Sequence, residues 1–221
     1  MTWTRGLDLS AYQDNPNTYA DDVRWGEVYS AGYRFAIFRV DCGASYVDPM
    51  FATLYDGARS FGLHVGAYHY ARPMAGKGDA QAEFDHFYRL LDGRRPKVIA
   101  LDIEESKIGG DRLASWLREW VSLGEQRGFT VCIYTSPAHL LGLGTILDAS
   151  FLRHPLWIAH YGVTMPGTLS PWPLGGWTIW QTDAARVPGV AYPCDRNWFQ
   201  GDEGACQDFF EGVPSTKRSL I

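Results

Sequence analysis

The chain has 221 residues, enough for one large α/β domain or two small ones. Hydrophobic residues make up 46% and charged residues 20%, which suits a globular protein with a sizeable core, and no stretch approaches the roughly eighteen apolar residues of a membrane span. A formal charge of -5 with scattered Lys and Arg leaves no basic footprint, so neither nucleic acid nor membrane insertion is expected.

In chain order, apolar runs of strand length alternate with longer segments of helical period. Strands are expected at Gly6 to Ser10, Phe35 to Val40, His64 to Tyr70, Val98 to Glu104, Thr130 to Tyr134, Leu156 to His160, Trp177 to Gln181, and briefly around Asp195. Helices are expected at Asp21 to Ala31, Pro49 to Phe61, Asp79 to Leu91 and Asp111 to Arg127, and Pro137 opens a shorter fifth. Asp21 or Asp22 can cap the first, and Asp48 the second with Pro49 in its first turn. After Met165 the pattern turns rich in Pro and Gly and loses its helices. Five βα units followed by three strands predict an irregular TIM-like α/β barrel, preferred over an open doubly wound sheet. The nucleotide fingerprints GxGxxG and GxxxxGK[ST] are absent. One catalytic domain over residues 1–203 and a C-terminal tail over 204–221 are expected.

Cys42, Cys132, Cys194 and Cys206 show no metal-binding spacing, and only Cys194 and Cys206 are near enough in sequence to suggest a disulfide. The six histidines form no HxH or HExxH pattern, and no cofactor is expected. The N-terminus lacks a basic segment followed by an apolar one, so no secretory signal is expected.

The segment Val98-Ile99-Ala100-Leu101-Asp102-Ile103-Glu104 carries the strongest chemical signal. Alternate side chains of a strand share a face, so Asp102 and Glu104 point the same way with Cα atoms roughly 6.6 Å apart. Barrel chemistry gathers at the C-terminal ends of strands. Asp8, Arg39, Asp41, Tyr70, Tyr134, Gln181 and Asp195 fall there too, all expected to face one bowl. An isolated aspartate is more often a turn residue, but convergence of several on one rim favours a site. Nine Trp and twelve Tyr suit sugar rings and equally suit packing. Tyr68, Tyr70, Tyr134, Trp157 and Trp180 lie near the bowl, with Tyr134 the first choice for stacking. His69 reads as a packed strand residue.

Taken as an ordered set, these segments resemble the family 25 glycoside hydrolases, the lysozymes of bacteria, fungi and phage endolysins. The matching pieces are Gly6-Leu7-Asp8-Leu9-Ser10, Tyr46-Val47-Asp48-Pro49, Val65-Gly66-Ala67-Tyr68-His69-Tyr70, Ala100-Leu101-Asp102-Ile103-Glu104 and Ile133-Tyr134-Thr135-Ser136. Leu156-Trp157-Ile158-Ala159, Trp180-Gln181, Val187-Pro188-Gly189 and Asp195-Arg196-Asn197-Trp198-Phe199 complete them, covering about residues 5–201. One departure is Val40-Asp41-Cys42-Gly43, where the family often has Ala-Thr-Glu-Gly. The resemblance implies cleavage of the β-1,4 bond between N-acetylmuramic acid and N-acetylglucosamine in peptidoglycan. It places Asp8, Asp102, Glu104 and Asp195 on the family's four acidic positions.

Such chemistry needs a proton donor and something to stabilise charge at the anomeric carbon. Glu104 is expected to be the acid, its pKa raised by a neighbouring carboxylate, and Asp102 to stay charged and orient the substrate's acetamido group as nucleophile. Arg39, Tyr68, Tyr70, Tyr134, Trp157 and Gln181 are expected to contact substrate. A family 18 chitinase is excluded by Lys97 and Ala100 where its upstream aspartates would stand. A metal-dependent hydrolase using the four acids, and a wall-binding or phage tail-associated barrel without turnover, are the remaining alternatives. No wall-binding module is expected after Gly201, and the expected setting is cell-wall degradation or phage host lysis, the latter with the help of a phage permeabilising protein.

Overall fold

The computed structural model describes residues 2–13, 22–139, 146–167 and 170–213. Its elements run β1 (Thr4–Leu9), α1 (Trp25–Ser30), β2 (Tyr33–Cys42), β3 (Tyr46–Val47), α2 (Phe51–Ser60), β4 (His64–Tyr70), α3 (Asp79–Leu90), β5 (Val98–Asp102) and α4 (Gly110–Gln126). Then come β6 (Thr130–Thr135), a 3-10 turn at Ala149–Arg153, β7 (Leu156–Ala159), β8 (Ile179–Ala185), β9 (Cys194–Phe199) and α5 (Glu203–Glu211).

The sheet runs β1-β9-β8-β7-β6-β5-β4-β2-β3 and closes through β1 pairing with β2. Setting aside the two-residue β3, eight strands form a closed barrel. All neighbours in it are parallel except β9, which runs antiparallel to β1 and β8. The irregular TIM-like barrel is therefore present, with helices lost where the Pro- and Gly-rich segment removes their periodicity.

Side-chain alternation splits the apolar residues into two layers. Phe35, Ile37, Val98, Ala100, Cys132, Trp157, Ile179 and Phe199 fill the barrel interior. The outward set, including Phe38, Ile99, Leu101, Val131 and Ile133, meets the helices. Both faces of β5 are thus covered, which is why all five of its residues are buried. In α2 the buried Phe51, Leu54, Tyr55 and Ala58 recur at helical spacing, and in α4 Leu113, Leu117, Trp120, Val121 and Gly124 do the same. Two glycines permit close packing: a Cβ on Gly6 would sit 2.3 Å from the Phe35 ring, and one on Gly124 2.7 Å from Val131 Cγ2.

Several expectations shift. α1 begins at Trp25 with Arg24 at the N-cap position, Asp21 lies outside the described residues, and Asp22 precedes the helix by three positions. α2 begins at Phe51 without a side-chain cap at Met50; Asp48 instead accepts from the Met50 N–H at Oδ1 and from the Ala11 N–H and Arg39 at Oδ2. The seventh strand of the prediction starts at Ile179 and runs on to Ala185. Pro137 does open a helical turn, whose continuation over 140–145 lies outside the described residues.

The largest difference concerns the end of the chain. Residues 204–211, within the segment read as tail, form α5 together with Glu203, capped by Asp202 accepting from the Ala205 N–H at 2.9 Å and stopped by Gly212 in left-handed conformation. Cys206 and Phe210 enter the interior cluster, and Phe210 lies 5.2 Å from Phe35, so α5 stops the barrel floor. All four cysteines are free thiols; Cys194 sits at the mouth end of β9 and Cys206 in the floor helix, which rules out their pairing.

Candidate active site

The carboxylates collect at the mouth, where the parallel strands end. Asp8 of β1 is the cross-strand partner of Asp195 of β9, and Asp102 is flanked by Tyr70 of β4 and Tyr134 of β6. β5 ends at Asp102, but the clamp continues: Ile103 donates its N–H to the Tyr134 carbonyl at 3.0 Å and accepts from Thr135 Oγ1 at 3.0 Å. Ile103 is buried toward the helices, which holds Asp102 and Glu104 on the opposite, bowl-facing side.

Four acids in this space oppose one another's ionisation. Burial, then Asp195, raises the Asp8 pKa well above the carboxylate range, partly offset by amide donors. Burial, then the charges of Glu104 and Asp8, raises Asp102 well above it as well. Half-buried Glu104 is raised mainly by desolvation, with His139 and the Tyr134 hydroxyl pulling back. His139 is held by Ser136 Oγ at 2.7 Å. Asp102 is only 5% exposed, and among the described residues its Oδ1 has no hydrogen-bond partner. Burial is thus the first cause of both shifts, and the Glu104 charge raises Asp102 further.

Asp8 is held by a network that only partly shows in the sequence. Gln181 Nε2 and Asn197 Nδ2 each donate to Asp8 Oδ2 at 2.8 Å. The hydroxyls of Tyr134 (3.0 Å) and Tyr161 (2.9 Å) converge on Gln181 Oε1, and Tyr161 also reaches Asp195 Oδ1 at 2.8 Å. Tyr161 and Asn197 are the residues the sequence reading missed. Asn197 follows Asp195 by two in one strand, the same alternation that flagged Asp102 and Glu104. Tyr161 stands two residues past β7, on the same rim.

The expected sugar contacts divide. Arg39 and Tyr68 face the bowl: Arg39 bonds Asp48 Oδ2 at 2.9 Å and lies over the rings of Tyr12 (5.0 Å) and Tyr46 (5.3 Å). Tyr68 stands among Asp8, Arg39 and Asp102. Tyr70 donates to Glu105 Oε1 at 2.9 Å on the rim. Trp157 is 1% exposed and donates its Nε1 to Asn197, so it supports the network and offers no face to a ligand. The Tyr134 ring packs edge-on against Trp157 at 4.6 Å and is buried, leaving its hydroxyl for hydrogen bonding in place of the expected stacking. Trp180 points outward into a cluster with Trp3 and Trp177. Half-exposed Tyr161 and the exposed Tyr12 and Tyr46 are the open aromatic faces.

Asp41 departs from the bowl altogether. A register shift between Arg39 and Asp41 in the pairing of β2 with β4 turns it outward. There it bonds His69 Nδ1 at 2.6 Å, while His69 Nε2 reaches Glu83 Oε2 at 2.8 Å. The two carboxylates overcome desolvation and raise the His69 pKa to about 9. His69 is packed, as expected, stacked on Trp120 at 5.4 Å, but it is also an ion-paired centre.

Beside Glu104 opens an apolar pocket of about 280 Å³ lined by Ile103, Ile108, Leu113, Ile146 and His139. Among the described residues no group of three or more His, Cys, Asp or Glu is arranged to hold a metal ion, and no helix is long and apolar enough to cross a membrane.

The chain and its fold have counterparts among known proteins. Lysozyme M1 of Streptomyces globisporus is 32% identical over 210 residues, 89% of this chain and 68% of that protein. An N,O-diacetylmuramidase of Chalaropsis sp. is 30% identical, over 89% of this chain and 94% of its own. The solved bacterial lysozyme from Streptomyces coelicolor superposes with a TM-score of 0.82 at 27% identity, covering 96% of this chain and 99% of that one. The family model described as glycosyl hydrolases family 25 matches residues 7–190. With an eight-stranded barrel and an acidic mouth that agree with this match, the chain belongs to glycosyl hydrolase family 25 and is a glycoside hydrolase.

Proposed function

We propose that the chain is a 1,4-β-N-acetylmuramidase that cleaves the MurNAc-GlcNAc bond of bacterial peptidoglycan. The observation that carries this reading is the Asp102–Glu104 pair: one carboxyl buried with a free oxygen, its neighbour half-exposed at the mouth, both with raised pKa. Glu104, the outer member, protonates the glycosidic oxygen. The acetamido N–H of the muramic acid docks on Oδ1 of Asp102, which stabilises the charged form of Asp102, while Glu104 carries the proton to be given. The acetamido oxygen then closes onto the anomeric carbon as the aglycone departs, and water opens the resulting ring with Glu104 as base, so configuration is retained. Asp8 and Asp195 set the charge felt by the pair, and Tyr161 and Gln181 hold them in place.

Digestion of purified peptidoglycan followed by mass spectrometry tests the bond: muramic acid at the new reducing ends supports the reading, and glucosamine there overturns it. A substrate whose acetamido carbonyl is replaced is expected to be cleaved far more slowly. A normal rate would instead mean direct attack by Asp102. The setting we infer is wall degradation during phage host lysis, tested by cytoplasmic expression: lysis is expected only when the membrane is permeabilised.

A further inference from the structure

The floor of the barrel, opposite the carboxylates, carries the reverse charge. Two cavities open there, about 390 Å³ and about 640 Å³, and Arg95, Pro96 and Lys97 of the α3–β5 loop wall both. Arg89, Arg94 and Arg127 complete the cationic lining of the first and Arg59 that of the second, against only Asp92 and Glu211. Arg89, Arg94, Arg95 and Lys97 lie within nine residues of sequence, and the fold adds Arg59 from the end of α2 and Arg127 from just past α4.

Among the described residues most of these cations have no carboxylate partner; Arg89 donates to His86 Nδ1 at 3.1 Å and Lys97 to the Gly128 carbonyl at 2.8 Å, bonds that leave both charges unneutralised. Arg94 is held by Asp56, but among the described residues Arg59, Arg89, Arg95, Lys97 and Arg127 have no ion-pair partner, whereas Arg34, Arg39, Arg72, Arg118, Arg153 and Arg196 each have one. Arg127 lies over the Tyr88 ring at 4.4 Å, and Arg127 with Arg95 holds the Tyr88 phenol below its ordinary pKa, so two guanidiniums converge on one edge of the smaller cavity. Guanidiniums suit bidentate recognition of phosphate oxygens.

We propose that this face binds a flexible phosphodiester polyanion of the bacterial wall, with Arg95 at the shared wall of the two cavities. The wall as the polymer's source rests on the peptidoglycan reading; the anion site itself does not. A net charge of -5 repels broad anionic surfaces such as a duplex or a lipid bilayer, while a thin chain can place successive phosphates in two adjoining cavities. The acidic bowl excludes the same polymer and keeps the glycan. Strands of six or seven residues separate the two ends by roughly 20 Å, a span that a flexible polymer tethered to the glycan can cover.

Calorimetric titration of the full chain with poly(glycerol phosphate) is expected to show binding that weakens steeply between about 50 mM and about 500 mM salt. The exposed double variant Arg95→Gln/Arg127→Gln should lose about tenfold or more in affinity, while Lys77→Gln/Arg112→Gln, exposed cations elsewhere, should bind like the wild type. Both should melt with the parent and digest phosphate-stripped peptidoglycan at the parental rate, the floor variant losing efficiency only on intact walls. No binding by the wild type, equal loss in both variants, or tighter binding to duplex DNA or to vesicles of anionic phospholipid would overturn the proposal. Failure to digest any wall, with polymer binding intact, would count against the muramidase reading alone.

Discussion

The two ends of this barrel are made from the same strands and solve opposite problems. At the floor, Phe35, Phe199, Phe209 and Phe210 pack ring on ring, with α5 closing the opening and Gly6 making room. At the mouth, the next inward positions of those strands carry Asp8, Arg39, Asp102, Gln181 and Asn197, and a network of amide and hydroxyl donors holds them. Buried carboxylates that repel one another cost stability, and the sealed lower half offsets that cost. The difference teaches that function in this fold is bought at one end with rigidity from the other.

Breaking the mouth should abolish turnover and leave the fold. Glu104→Gln is expected to lower the rate by about a thousandfold, the typical scale of a lost general acid, with an unchanged or higher melting temperature because one repelling charge is gone. Asp102→Asn should cost nearly as much. Hydrolysis and thermal melts of the purified variants check this; most of the activity surviving in Glu104→Gln would refute the acid assignment. Breaking the floor should do the reverse. Phe210→Ala leaves a cavity beneath Phe35 and should cost about 3 to 5 kcal/mol, a fall in Tm of roughly ten degrees, with kcat near normal at 25 °C. If kcat fell in step with Tm, the two ends would not be separable.

A third charged centre, Asp41–His69–Glu83, lies behind the mouth and should be visible in stability alone. The His69 pKa rises from 6.5 to about 9 on folding, so the folded state binds the proton more tightly. Its contribution is fully present below pH 6.5 and is lost as the pH rises through about 9. His86 also bears on Asp41, and Trp120 and Phe87 pack on the His69 ring. The wild type should lose a few degrees of Tm across that window, and His69→Gln should start lower and lose less. An equal slope in both would assign the pH dependence elsewhere.

How much of this could be read in the chain follows from which signals are local. Strand alternation placed Asp102 and Glu104 on one face and Asp8 and Asp195 on the same rim, and it would have placed Asn197 there too. It failed for Asp41, because a bulge is a pairing event between β2 and β4 that no periodicity within β2 announces. It could not tell Trp157 from Tyr161: both are aromatic and near a strand end, but only closure of the barrel buries one and exposes the other. The floor helix did leave a local mark, with Asp202 as cap and Gly212 as stop. Its short apolar face was overlooked because it completes a core assembled from distant strands.

The smallest expected effect probes how finely the mouth is tuned. Asp195 raises the pKa of both Glu104 and Asp8. Replacing it by Asn removes that charge, so Glu104 gives up its proton at lower pH. Because the acid must be protonated to act, the alkaline limb of the kcat/KM profile should move toward acid by about half to one pH unit. Tyr161→Phe deletes a hydrogen bond that favours ionised Asp195, so Asp195 holds its proton to higher pH and presses less on Glu104. Its limb should move in the same direction by less. Limbs that stay in place in both variants would mean that burial alone raises the Glu104 pKa, and that Asp195 serves the site by position and not by charge.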